Sequence, residues 1–147
     1  QEALMPTFYD PGADAGEVSK ALRGLALAGS GFKHLQDMYG VFGDLLHGVR
    51  SLRQVLDQLS TAHLSNRPRA LDNSGDHLAG SKDGLATANE LRQTAMLIDQ
   101  AEERISVAMS AAGRILWRAE PSQDPVTVYR WVSVCFLQSE EADEVLK

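Results

Sequence analysis

A single cysteine, Cys135, stands in 147 residues, so no disulfide framework can staple this fold. A reducing, cytoplasmic setting is the matching expectation. Long apolar runs are missing too. No stretch reaches the roughly 18 apolar residues a membrane span requires, so no membrane partner is expected. The N-terminus lacks a basic region followed by an apolar one and does not read as a secretory signal. Basic charge is in deficit: 14 Lys and Arg stand against 20 Asp and Glu, a formal net charge of −6. That balance opposes a general affinity for nucleic acid, which needs a basic face, and leaves only a local patch open. Catalytic signatures are missing as well. Gly29-Ser30-Gly31-Phe32-Lys33 lacks the order of a phosphate-binding loop and follows no strand. No serine lies on a nucleophile turn. No enzyme activity, cofactor or metal is expected.

What is present is ordinary globular composition, 44% hydrophobic and 23% charged, arranged with helical periodicity. Residues 1–13 read as an extended tail punctuated by Pro6, Pro11 and Gly12. Met5 is a candidate start, and the chain is expected to continue past Lys147, where no stop signal occurs.

A first long helix is expected over 14–64, capped by Asp14 with Glu17 three residues on. Leu35, Met38, Phe42, Leu45, Val49, Leu52, Leu56 and Leu59 alternate spacings of three and four, the seam of a helix packed on a near-parallel neighbour. Gly29-Ser30-Gly31 interrupts it. Each glycine costs about 1 kcal/mol relative to alanine in a helix interior, so a kink or short break is expected there.

Residues 65–83 are rich in helix breakers and read as a long, flexible surface loop. A second helix is expected over 84–120, with Thr87 and Glu90 at capping-box spacing and Asp83 as the alternative, earlier cap. Its seam is Leu91, Thr94, Ile98, Ala101, Ile105, Ala108, Ala112, Ile115 and Ala119. The large residues of the first seam complement the alanines of the second, which pairs the two helices as an antiparallel hairpin. Beyond Pro121 and Pro125, the alternation of Val126, Val128, Val132, Val134 and Phe136 with polar and aromatic residues suggests a strand, followed by a short helix from Ser139. A helix beginning at Asp124-Pro125 is the competing reading.

The fold class expected is therefore mainly α: an antiparallel long-helix hairpin or bundle over 14–120, with a small C-terminal segment over 121–147. Arg50, Arg53, Arg67 and Arg69 gather toward one end of the hairpin and form the candidate binding site, for a phosphate or an acidic partner. Asp44 and His47 share a helix face but have no second carboxylate–histidine pair to complete a two-metal site. The function expected is that of a non-catalytic helical interaction or assembly protein, self-associating or a subunit of a larger complex. Its partner is another protein or a second copy. The alternative is an accessory module that binds nucleic acid or anions through the arginine-rich end.

Overall fold

A computed structural model describes residues 7–29 and 31–119. Three helices account for most of them: α1, Pro11–Ala28; α2, Asp37–Ser65; and α3, His77–Ala112. A single 3-10 turn, Arg67–Arg69, lies between α2 and α3. This helical unit ends at Ile115, and of the unit that follows only residues 116–119 are described. The strand and helix expected over 121–147 lie outside the described residues.

The helix starts differ from those read off the sequence. Asp10, not Asp14, caps α1: its carboxylate accepts from the backbone N–H groups of Gly12 and Ala13 at 3.0 and 3.1 Å. Pro11 at the first helical position has no N–H to satisfy and a backbone angle already suited to the helix. Asp14, one turn inside, accepts instead from the Thr7 N–H at 2.7 Å. The tail therefore ends at Asp10.

The first long helix is interrupted as expected: α1 ends at Ala28 and α2 begins only at Asp37, a wider gap than a kink at the glycines. The amide of Gly29 closes the last turn of α1 on the Leu25 carbonyl at 2.7 Å. No Cα of α1 comes within 8 Å of one in α2 or α3, and α1 buries no residue.

The connection expected to be loose is short and knit. Helix α3 begins at His77, seven residues before the expected start, because Asp76 caps it by accepting from the Leu78 N–H at 3.0 Å. The Thr87 hydroxyl is no cap: it donates to the Asp83 carbonyl inside the helix. Between the helices, one carboxylate oxygen of Asp72 accepts from the Ser74 N–H, the Ser74 hydroxyl and the Asp76 N–H, each at 2.8 Å. Gly75 takes the positive φ, +87°, that this turn demands. The backbone of Leu71 then lies directly on Gly80, where a Cβ would stand 2.4 Å from the nearest Leu71 atom. At the other end α3 stops at Ala112, with Gly113 as its cap, so Ile115 and Ala119 fall outside the helix.

Helices α2 and α3 form the antiparallel hairpin expected. Its seam is rotated from the one read off the sequence. On α3 the shielded positions include Gly84, Ala88, Leu91, Ala95, Ile98, Glu102, Ile105 and Met109, in alternating steps of four and three, and Ala112 of the expected seam. Thr94, Ala101 and Ala108, expected in the seam, are exposed. On α2 the inward positions include Phe42, Leu46, Val49, Leu56, Ser60 and Leu64, while Leu52 and Leu59 turn outward. Level contacts fix the register: Gly43 beside Met109, Arg50 bonded to Glu102, and the Ser60 hydroxyl donating to the Ala88 carbonyl at 2.9 Å. Ser60 and Ala88 are both fully buried, so two small side chains let the helices come together there.

Candidate interaction surfaces

The hairpin has one sealed, charged side. Arg50 Nε bonds Glu102 Oε1 at 2.6 Å, and Arg53 Nε bonds Asp99 Oδ1 at 3.1 Å. A second nitrogen of Arg53 meets Asp57 one turn along. These two candidate arginines are thus held in place across the helix pair, each with its charge balanced. Both are about half exposed, so each pair contributes at most about 1 kcal/mol in water.

Arg67 and Arg69 do not join them. From Arg53 to the end of α2 at Ser65 the helix runs about 18 Å at 1.5 Å per residue, and both arginines lie beyond that end. Arg67 is half-buried and donates from Nε to the Ser81 carbonyl at 3.1 Å. Arg69 alone of the four candidates forms no ion pair and no side-chain hydrogen bond among the described residues. It lines an open cleft of about 510 Å³ with Ala62, His63, Asn66, Ala70 and Gly84. The Nδ1 atom of His63 is bonded to the Leu59 carbonyl at 2.7 Å, and the Asn66 amide is spent on the Ala62 carbonyl. Nearby, the Asp72 carboxyl is held below the usual carboxylate range, first by the Asp76 N–H and then by the Ser74 hydroxyl.

Asp44 and His47 are exposed on α2. Among the described residues no three His, Cys, Asp or Glu side chains gather as a metal site would require. No helix among them is long and apolar enough to cross a membrane.

The other side of the hairpin is apolar, and the outward leucines lie there. Val41, Leu45, Val49 and Leu52 of α2 face Val18, Leu22 and Leu25 of α1 across a groove of about 340 Å³, with Asp44 as its only charged lining residue. The groove is not closed by packing: Leu22 remains 54% exposed and Leu52 45%. Val55 and Leu59 continue the exposed row along α2. The sequence had marked Leu45, Leu52 and Leu59 as core. The signal that separates them from Leu46 is not hydropathy but which neighbours cross the hairpin.

No protein-family model, curated protein or solved structure matches this chain.

Proposed function

We propose that this chain is a non-catalytic helical interaction protein whose apolar faces are completed by another polypeptide. One observation carries the reading: among the described residues the hairpin buries only Leu46, Ala88 and Ala95 as hydrophobic residues, while Val18 and Leu22 of α1 and Leu52, Val55 and Leu59 of α2 stay about half in water. A row at helical spacing beside an open groove is the arrangement into which an amphipathic helix lays its apolar face. Exposed contiguous apolar surface of this kind marks interaction sites more often than idle surface. The anion-binding alternative now rests on Arg69 alone, because Arg50, Arg53 and Arg67 already have protein partners.

The test is isolation of the tagged chain from its own host under native conditions, with the parent compared to Leu52→Glu/Leu59→Glu. Both side chains point outward, so the variant should keep its helicity and melting temperature. The expected result is that the parent elutes as a complex and the variant elutes free. A parent that runs alone at the mass of one chain, unchanged by the substitutions, refutes the reading.

A further inference from the structure

Helix α3 carries two heptad rows, and its own hairpin uses only one of them. The second row, Thr87, Leu91, Thr94, Ile98, Ala101, Ile105 and Ala108, again alternates steps of four and three. It shares Leu91, Ile98 and Ile105, each only half-buried, with the hairpin seam, and its small members are exposed. Beside it lies a column seven residues apart: Glu90, Leu97 and Arg104. All three are exposed, Leu97 to 62%. Neither Glu90 nor Arg104 enters an ion pair among the described residues. The ion pairs that α3 does make, at Asp99 and Glu102, cross to Arg53 and Arg50 of α2 and leave Glu90 and Arg104 out.

We infer that this face pairs with the same face of a second copy, α3 against α3 in antiparallel, about a two-fold axis beside Leu97. The inference rests on the interaction reading above and names its partner. Charge sets the orientation. In an antiparallel helix pair the columns flanking the seam meet their own counterparts, and their charges set orientation and partner. About Leu97, Glu90 of one copy falls beside Arg104 of the other, and the symmetry repeats the pair. A parallel pair would instead turn this column toward the opposite flank of the partner's seam, where Ala88 and Ala95 are already buried in the hairpin, and Glu90 would not meet Arg104.

Volume agrees with it. The same register brings Leu91 opposite Ala101 of the other copy, Ile98 opposite Thr94, and Ile105 opposite Thr87. Large meets small in every layer, the condition for close interdigitation. From Thr87 to Ala108 the row runs about 30 Å at 1.5 Å per residue, several helical turns of contact. Helix α1 leaves this face open, since none of its Cα atoms comes within 8 Å of α3.

The full chain is tested by sedimentation equilibrium from low micromolar to about 1 mM. The parent should approach twice 16.0 kDa. Glu90→Arg sets two arginines together at both symmetric positions and should raise the dissociation constant about tenfold or more, while Glu90→Arg/Arg104→Glu restores it. Ala101→Glu should abolish the dimer. All three substitutions fall on exposed positions, and unchanged circular dichroism confirms that each variant folds. A parent at 16.0 kDa throughout overturns the inference. So does a dimer indifferent to all three variants, but that outcome leaves the interaction reading standing on another face. The interaction reading fails separately, on the Leu52→Glu/Leu59→Glu comparison.

Discussion

Replacing Gly80 by alanine sets two effects of known sign against each other. Inside a helix, Gly→Ala gains about 1 kcal/mol, because alanine loses less backbone entropy on folding. Gly80 lies one turn into α3, so propensity alone predicts stabilisation. Contact predicts the reverse. The new Cβ would stand 2.4 Å from the Leu71 carbonyl carbon and 2.6 Å from its Cα and nitrogen. Normal carbon–carbon contact begins near 3.5 Å, so the crossing segment must retreat by about 1 Å. It is not free to do so. On one side of Leu71, the Ala70 carbonyl is bonded to His77 Nδ1 at 2.9 Å. On the other, the Asp72 amide donates to the Asp76 carbonyl at 3.0 Å, and the Asp72 carboxylate holds the turn. Overpacking against fixed backbone costs about 1–3 kcal/mol or more. The clash should win, leaving Gly80→Ala less stable than the parent by about 1–2 kcal/mol. Gly48, in the interior of α2, has nothing within 4 Å of the same built atom. Gly48→Ala should therefore be more stable by about 0.5–1 kcal/mol. Urea unfolding followed by far-UV circular dichroism measures both, and equal slopes would show that compactness is unchanged. If Gly80→Ala unfolds at the parent's midpoint or above it, the Leu71 crossing is wrong, and with it the account of how α3 begins.

Two further outcomes follow from the same geometry. Ala95→Asp puts a carboxylate where the native side chain is 2% exposed; it should cost several kcal/mol, a large share of the stability of a small domain, read as a loss of the cooperative thermal transition. Asp72 has a folded pKa below its unfolded one, so its contribution is fully present above the unfolded value, near pH 4, and is lost as pH falls through the lower folded value. Asp72→Asn should therefore flatten that acid limb of a stability-versus-pH curve while leaving its slope near neutral pH unchanged. An acid limb that is identical in the two proteins would mean the turn does not hold the carboxylate.

The hairpin, its antiparallel sense and the break at Gly29 to Gly31 were legible because each follows from local chemistry: helical spacing of apolar residues, and glycines that weaken a helix. The seam was not legible, for a physical reason. Hydropathy ranks Leu45, Leu52 and Leu59 above Arg53 and Ser60, so a periodic reading puts the leucines inside. The fold puts Ser60 inside because its hydroxyl reaches the Ala88 carbonyl, and turns Arg53 along the seam because Asp99 answers it. Those are facts about pairs of residues tens of positions apart. On α3 the periodic reading puts the seam through Thr94 and Ala101, but Ala88 and Ala95 form a second row of small residues one position away, and nothing in composition separates the two. The start of α3 was missed for a related reason. Gly80 and Gly84 look like punctuation until Leu71 and Arg67 are seen pressed against them. The four arginines look like one cluster in sequence, yet α2 runs about 18 Å from Arg53 to its end at Ser65, and Arg67 and Arg69 lie beyond it.

The two rows of α3 have an energetic consequence that ties folding to association. A small chain gains its stability by burying apolar area, at roughly 25 cal/mol per Å². In this hairpin much of that area is kept in reserve: the α2 leucines face an open groove, and the second α3 row faces water. Whatever covers these faces binds the folded helices and not the unfolded chain, so it adds RT ln(1 + [L]/Kd) to the stability. If the cover is a second copy, the chain is its own ligand, and its melting temperature must rise with protein concentration. Ala101→Glu then separates two sources of stability that a single melt would confuse. On an exposed position it leaves the hairpin's own packing untouched. The concentration dependence should therefore vanish, while the melting temperature at high dilution stays that of the parent. A parent whose melting temperature is the same at low micromolar and at about 1 mM gains nothing from self-pairing, and the reserve of apolar surface must then be meant for a different polypeptide.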